Sequence, residues 1–266
     1  MQPIIEEISY FACGSCTNHL HWMFKQAPKE TRVFPAGVFL IKHRTQGYIL
    51  YDTGYSTALY QNQFKYLLYR KINPIQVSFD EMIDQQLRQK GIEPSAIRWV
   101  ILSHLHPDHI GGAKQFPKAT FITTEAVYRN FKKATVKDLI FNEFLPNDFE
   151  ERVIHVLPNQ HDSQFPYHAV ADLFGDGSLL LSSFDGHAVG QGCLFLPEKN
   201  LFLAADICWG MDLLSKTEQL KPIPRLIQHN MRAYRQSCAL LQKIQADGIQ
   251  VVVSHDATQR IKEVLA

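Results

Sequence analysis

His104-Leu105-His106-Pro107-Asp108-His109 sets three imidazoles and one carboxylate within six residues. The stretch follows Arg98–Ser103 (RWVILS), a short apolar run that reads as a buried strand. At the end of a strand, side chains can leave the core and converge. Imidazole nitrogens and carboxylate oxygens are preferred zinc ligands. In extended chain, positions 104 and 106 point the same way. Asp108 and His109 then face a second position across a turn. Gly111 and Gly112 follow, where backbone must turn or pack closely. A solvated polar loop can carry one or two histidines, but a cluster this dense points to metal or catalysis.

Outward from this stretch, the chain alternates strand and helix signals. Residues 33–52 read as a hairpin around Arg44-Thr45-Gln46-Gly47. Residues 55–70 are aromatic and helical in pattern, and 79–90 form a helix that stops at Gly91. TFITTE, from Thr120, is another strand, and 125–141 a helix or irregular insertion. Residues 151–157, 178–183, 193–196, 201–205 and 251–255 are further strands, and 222–246 a helix behind a proline-rich start. Both halves share this order. It predicts two β-layers with helices on each outer face, a four-layer αββα sandwich of the α/β class. No low-complexity segment or linker divides the chain, so 1–266 reads as one domain.

Composition sets the outer bounds. The chain has 266 residues, 45% of them apolar, with a formal net charge of +1. No basic run suggests a nucleic-acid partner. No stretch reaches the roughly 18 apolar residues that span a bilayer, so no membrane partner is expected. The first residues, MQPIIEEISYFACGSC, lack a charged-then-apolar leader pattern. Five cysteines, an odd number unevenly placed, argue against a disulfide framework and for a cytoplasmic protein with reduced thiols. Cys13-Gly14-Ser15-Cys16, with His19 and His21, is a weak metal motif whose histidines are too close together. It reads as a loop with free thiols near the site.

His-x-His-x-Asp-His after an apolar strand resembles the signature of the metallo-β-lactamase fold. The resemblance covers about residues 33 to 256 and implies more ligands at later strand ends. His187 follows one strand in Ser183–His187, Asp206 ends Leu201–Asp206, and His255 follows Val251–Ser254. By resemblance, His104, His106 and His187 hold one metal and Asp108, His109 and His255 a second, with Asp206 bridging. Asp52, in Tyr51-Asp52-Thr53-Gly54, orients a ligand histidine or the loop. The ions expected are two divalent metals, zinc first, although iron and manganese suit the same donors. Two such ions can share a water and lower its pKa, giving a bridging hydroxide nucleophile. Asp108 is then the natural proton carrier.

Asp185–Gln191 (DGHAVGQ) looks most like the lactonase branch, close to N-acyl-homoserine lactonases and glyoxalase II-type thioesterases. The implied reaction is cleavage of a small lactone, ester or thioester. Lactonases carry a tyrosine three residues after the bridging aspartate; here that position is Trp209, which donates one hydrogen bond but is no acid. Trp209 and Tyr55 are candidates to line a substrate pocket, set against ordinary core packing of residues 55–69. Trp22, Met23 and Phe24 are candidates to cap it. A di-iron redox protein and a phosphodiesterase are the alternatives. The redox relatives have glutamate where this chain has His106. The expected partner is a small molecule, with a homodimer conceivable.

Overall fold

A computed structural model describes residues 2–266. Seven strands form the first sheet: β1 (Ile5–His19), β2 (Thr31–His43), β3 (Gly47–Tyr51), β4 (Ile75–Gln76), β5 (Ile97–Ile101), β6 (Thr120–Thr124) and β7 (Val153–Val156). Their order is β4-β1-β2-β3-β5-β6-β7. The second sheet holds β8 (Gln160–Asp162), β9 (Phe165–Asp172), β10 (Leu180–Phe184), β11 (Gln191–Leu196), β12 (Leu201–Leu203) and β13 (Gln250–Val252), in the order β13-β12-β11-β10-β9-β8.

The strand pattern of β2 explains the layering. Phe39 and Ile41 point inward to a core shared with Phe184, Leu194 and Phe202 of the second sheet. Val38 and Leu40 point the other way, onto a separate core with Leu50, Val100 and Phe121. Successive side chains of a strand alternate faces. A strand covered on both sides therefore reads as a continuous apolar run. Helices α1 (Leu20–Met23), α2 (Phe64–Ile72) and α3 (Ile83–Gln89) precede the short α4 (Pro107–Ile110), α5 (Glu125–Phe131) and α6 (Phe149–Arg152). Tyr66 of α2, Ile83 and Leu87 of α3, and Phe149 of α6 fill the outer core of the first sheet. After the second sheet's first five strands come α7 (Pro222–Ile227) and α8 (Met231–Ala246), and α9 (Thr258–Leu265) ends the chain. Tyr234, Leu241 and Ile244 of α8 and Ile261 of α9 pack with the second sheet. The αββα layering follows.

Several local expectations change. The CxxC segment is not a loop but part of β1, the longest strand. Its polar residues and the register shift between Ala12 and Ser15 hide the alternation. β8 and β9 carry few buried apolar residues, mainly Phe165 and Val170, and so escaped pattern reading. The aromatic stretch 55–70 splits into a 3₁₀ turn at Thr57–Tyr60 and α2. Residues 79–90 likewise begin with a 3₁₀ turn before α3, and Gly91 follows with φ +75°. The helix expected at 222–246 breaks before Asn230, whose side chain accepts from the Arg232 and Ala233 amides and starts α8 anew.

The turn after the histidine motif is held by space rather than by backbone angle. Gly111 has an ordinary φ of −56°. A Cβ there would lie 2.5 Å from the Gly54 carbonyl oxygen and 2.6 Å from the Ser56 nitrogen. Gly111→Ala is therefore expected to destabilise the fold by about 1–3 kcal/mol, as overpacking does. A lowered midpoint in urea unfolding would show it; an unchanged midpoint would mean the 53–56 loop yields freely.

Candidate metal centre

Five strands end at the same edge of the sandwich. β3, β5, β6 and β7 run parallel in one sheet, as do β12 and β13 in the other. Asp52 follows β3, His104–His109 follow β5, His187 follows β10, Asp206 follows β12 and His255 follows β13. A hydrogen bond from the Gly192 amide to the Ser103 carbonyl (2.7 Å) ties the second sheet to the residue just before His104. Ala205, immediately before Asp206, takes left-handed backbone at φ +44°. That conformation costs about 1–2 kcal/mol for a residue with a Cβ. The cost is met by the packed strand ends around it, including the Ser254 amide bonded to its carbonyl at 2.9 Å.

The structure brings all seven predicted residues together in two groups. His104, His106 and His187 form one; Asp108, His109, Asp206 and His255 form the other. Within each, the candidate ligand atoms lie within 4.8 Å of one another. In the first group, Nε2 of His104 and Nε2 of His187 stand 2.9 and 3.0 Å from Nδ1 of His106. One imidazole nitrogen cannot partner both. Two nitrogens on one tetrahedral zinc would be about 3.3 Å apart, given zinc–nitrogen bonds near 2.0–2.1 Å. In the second group, Asp206 Oδ2 lies 2.9 Å from His255 Nε2 and 3.4 Å from His187 Nε2 of the first. Its other oxygen, Oδ1, and Nε2 of His109 are buried without a hydrogen-bond partner. Orphaned polar atoms facing one another 3.5 Å apart fit a cation between them.

Charge agrees with geometry. Burial pushes His104, His106 and His187 below their ordinary pKa, so their nitrogens stay neutral and can coordinate. Burial also works against charge on His255, but Asp206 and Asp108 outweigh it and hold its pKa at about 9. Burial opposes His109 too, yet Asp52, Asp206 and Asp108 raise it well above the usual range. The second group thus draws positive charge into the interior, the field a divalent cation requires.

Outer partners aim these side chains. Asp52 Oδ2 accepts from Nδ1 of His109 at 2.8 Å, and the Ser103 amide and hydroxyl both donate to Asp52 at 2.8 Å. Nδ1 of His255 donates to the Pro35 carbonyl at 2.8 Å, leaving Nε2 to face inward. Nδ1 of His187 donates to Oε1 of Gln228 at 3.1 Å. Such partners set the tautomer and the ring direction. Gln228 and Pro35 had no signal in the sequence; Gln228 reaches the site only because the helix breaks beside it.

A cavity of about 530 Å³ opens beside the two groups. His106, Asp108, Asp206 and His255 form its polar floor, while Trp209, Tyr55, Phe34 and Met23 are among its walls. The Tyr55 hydroxyl pairs with that of Tyr69 at 3.3 Å. Of the capping candidates, Trp22 and Met23 line this cavity and Phe24 is buried in the core. Cys16 also lines it, but burial raises its thiol to about 12, and burial raises Cys13 further; neither is a ready thiolate. Among the described residues, Cys13, Cys16, His19 and His21 form no metal-ligand group.

Residues 31–247 match the family model described as the metallo-beta-lactamase superfamily. The chain belongs to that superfamily. Among curated relatives of this superfamily member, a metallo-hydrolase, mfmC, of Annulohypoxylon moriforme is 28% identical over 71% of the chain and 52% of its own length. An N-acyl homoserine lactonase, AttM, of Azorhizobium caulinodans is 28% identical over 66% of the chain and 65% of its own. The match thus spans between half and two thirds of those relatives. Among solved structures, an N-acyl homoserine lactone hydrolase with N-hexanoyl-L-homoserine at its catalytic metal centre superposes with a TM-score of 0.74, at 16% identity, over 98% of this chain and 97% of that one. AidC, a dizinc quorum-quenching lactonase, gives 0.69 at 16% identity, over 97% and 90%. At such identities the structures establish the shared fold.

If Asp52 sets the direction of His109, Asp52→Asn should weaken metal retention about 10- to 100-fold, the usual effect of losing such a partner. Competition against a chelator measures it. Unchanged affinity would reduce Asp52 to a loop brace.

Proposed function

We propose that this chain is a dinuclear metal-dependent hydrolase that cleaves a small lactone, ester or thioester. The observation that carries this is the convergence of two ligand groups, joined by Asp206, on the floor of an apolar cavity. His104, His106 and His187 would hold one ion, zinc first among the candidates. Asp108, His109 and His255 would hold the other, with Asp206 reaching both. Divalent cations bound there would supply Lewis acidity and a water acidified enough to attack a carbonyl near neutral pH. The activities for which these relatives are named, metallo-hydrolase and N-acyl homoserine lactonase, support the reaction class.

The chain's own residues do the rest. Asp108 turns Oδ2 toward His255 at 3.4 Å and His109 at 3.7 Å. Its side chain also borders the cavity, so Oδ1 is the atom free to take the nucleophile's proton and return it to the leaving group. Trp209 stands three residues after Asp206, and its ring meets His187 edge-on at 6.1 Å. The Met211 amide, two residues on, is pinned by Asp256 at 2.8 Å, which steadies this loop. The indole N–H can orient a substrate carbonyl by donating to it, but cannot protonate it. The apolar walls would take an acyl chain and exclude water.

A panel of lactones, thioesters and phosphodiesters, assayed with zinc-loaded protein, tests the class. Cleavage of a lactone or thioester is expected; cleavage of phosphodiesters alone would overturn it. Asp108→Asn should keep both metals by elemental analysis yet lose about 10²- to 10⁴-fold in kcat, the range for a positioned proton carrier. Full turnover in that variant would remove the role. Trp209→Phe should lower kcat/KM for a carbonyl substrate by about tenfold, the worth of roughly one hydrogen bond. An unchanged kcat/KM would make Trp209 a wall only.

A further inference from the structure

The mouth of the cavity carries a pattern that hydrolysis does not require. In α2 the buried residues are Tyr66 and Tyr69. Phe64, Leu67, Leu68 and Ile72 share the opposite face, at i, i+3, i+4 and i+8, and all are exposed. The apolar stripe of this helix faces outward. Helix α7 repeats the arrangement, with Ile223 69% and Leu226 85% exposed. From α1, Trp22 is 61% exposed. Trp22, Leu68, Ile72 and Ile223 also line the cavity, which places all three segments at one rim. Single exposed apolar residues are ordinary; a set gathered around one opening marks an interaction surface.

Charge selects the partner. Residues 20–29, 64–72 and 221–227 contain Lys25, Lys29, Lys65, Arg70, Lys71, Lys221 and Arg225, and no aspartate or glutamate. The whole chain has 27 basic and 26 acidic side chains, so the remainder is net acidic. Lys65 is paired with Glu143. Arg70 and Lys221 donate to the carbonyls of Leu59 and His21, which leaves their charge uncompensated.

We propose that this rim docks on the surface of an anionic phospholipid bilayer, with the cavity opening onto the lipid. Phe64, Leu67, Leu226 and Ile223 would enter the boundary between headgroups and acyl chains, and Trp22 would sit at headgroup level. The lysine and arginine heads would meet lipid phosphates while their stems cover apolar surface. A second copy of the chain is the weaker occupant. In a two-fold pairing the same patch meets itself, which would press these cations against their own kind. Among the described residues no helix is long and apolar enough to cross a membrane, and docking needs none. This surface does not depend on the hydrolase reading, since it acts through lipid contact alone.

The test is flotation of the metal-replete 266-residue chain with phosphatidylcholine vesicles, with and without phosphatidylglycerol. Binding is expected only to the anionic vesicles and should be released at high salt. Phe64→Ser with Leu67→Ser, and separately Lys25→Glu with Lys29→Glu, should each lower partitioning by about tenfold or more, the first by removing apolar side chains from the lipid boundary and the second by reversing charge at the headgroups. None of these four residues lines the cavity, so thermal melting and turnover of a water-soluble ester should stay unchanged. No flotation, or equal flotation with neutral vesicles, would overturn the proposal. So would a concentration-dependent dimer that Phe64→Ser with Leu67→Ser abolishes, because that would assign the face to a second copy.

Discussion

Asp206 is the group on which the site depends. It is a fully buried carboxylate between two sets of imidazoles, reaching His255 at 2.9 Å and His187 at 3.4 Å. Burial alone would drive it to the neutral acid, yet His255 and His109 hold it well below the ordinary carboxylate range. A buried charge is tolerable only where opposite charge surrounds it. The fold supplies that surrounding by ending strands from both sheets at one edge. His104–His109 come from the first sheet, while His187, Asp206 and His255 come from the second. Neither sheet holds a complete set, so the site exists only when the sandwich is closed.

Closure is specific because polar links cross it. The Tyr51 hydroxyl donates to the Gly192 carbonyl at 2.7 Å from within the core, and the Gly192 amide donates to the Ser103 carbonyl. On the other side, the Gly37 amide of β2 donates to the Ser254 carbonyl at 3.1 Å, and a Cβ at Gly37 would sit 2.6 Å from that oxygen. Leaving any of these buried groups unpaired would cost about 1–3 kcal/mol. They therefore fix the register of the two halves of the site, and the Pro35 carbonyl of the same strand then sets the direction of His255.

The cavity joins two kinds of surface. Its floor is charged and buried; its mouth is apolar, basic and exposed. The same segments that build the walls, α1, α2 and α7, also carry the outward apolar side chains. Residues that read as core by helical spacing thus turn out to be split, with Tyr66 and Tyr69 inside and Phe64, Leu67 and Leu68 outside. Periodicity reports that a helix has an apolar face, but the neighbours decide where that face looks.

His104–His109 was legible because the ligands lie close in sequence after an unmistakable strand. The sandwich was legible from apolar runs such as Val251–Val253 and Leu201–Ala205, whose burial on both faces leaves no polar interruption. The polar strands β1, β8 and β9 were not legible, because a register shift interrupts the alternation of β1 and because β8 and β9 bury few apolar side chains. By itself the sequence determined the layered α/β architecture, since strand and helix patterns are written in local residue type and order, and the family resemblance pointed to the seven side chains that meet at the strand ends. Only the tertiary structure decided how closely those side chains approach one another, that Gln228 and the Pro35 carbonyl aim two of them, and that an apolar, basic rim surrounds the opening. Those outcomes depend on which distant strand ends and helix faces meet, and contact between distant segments leaves no periodic mark in the chain.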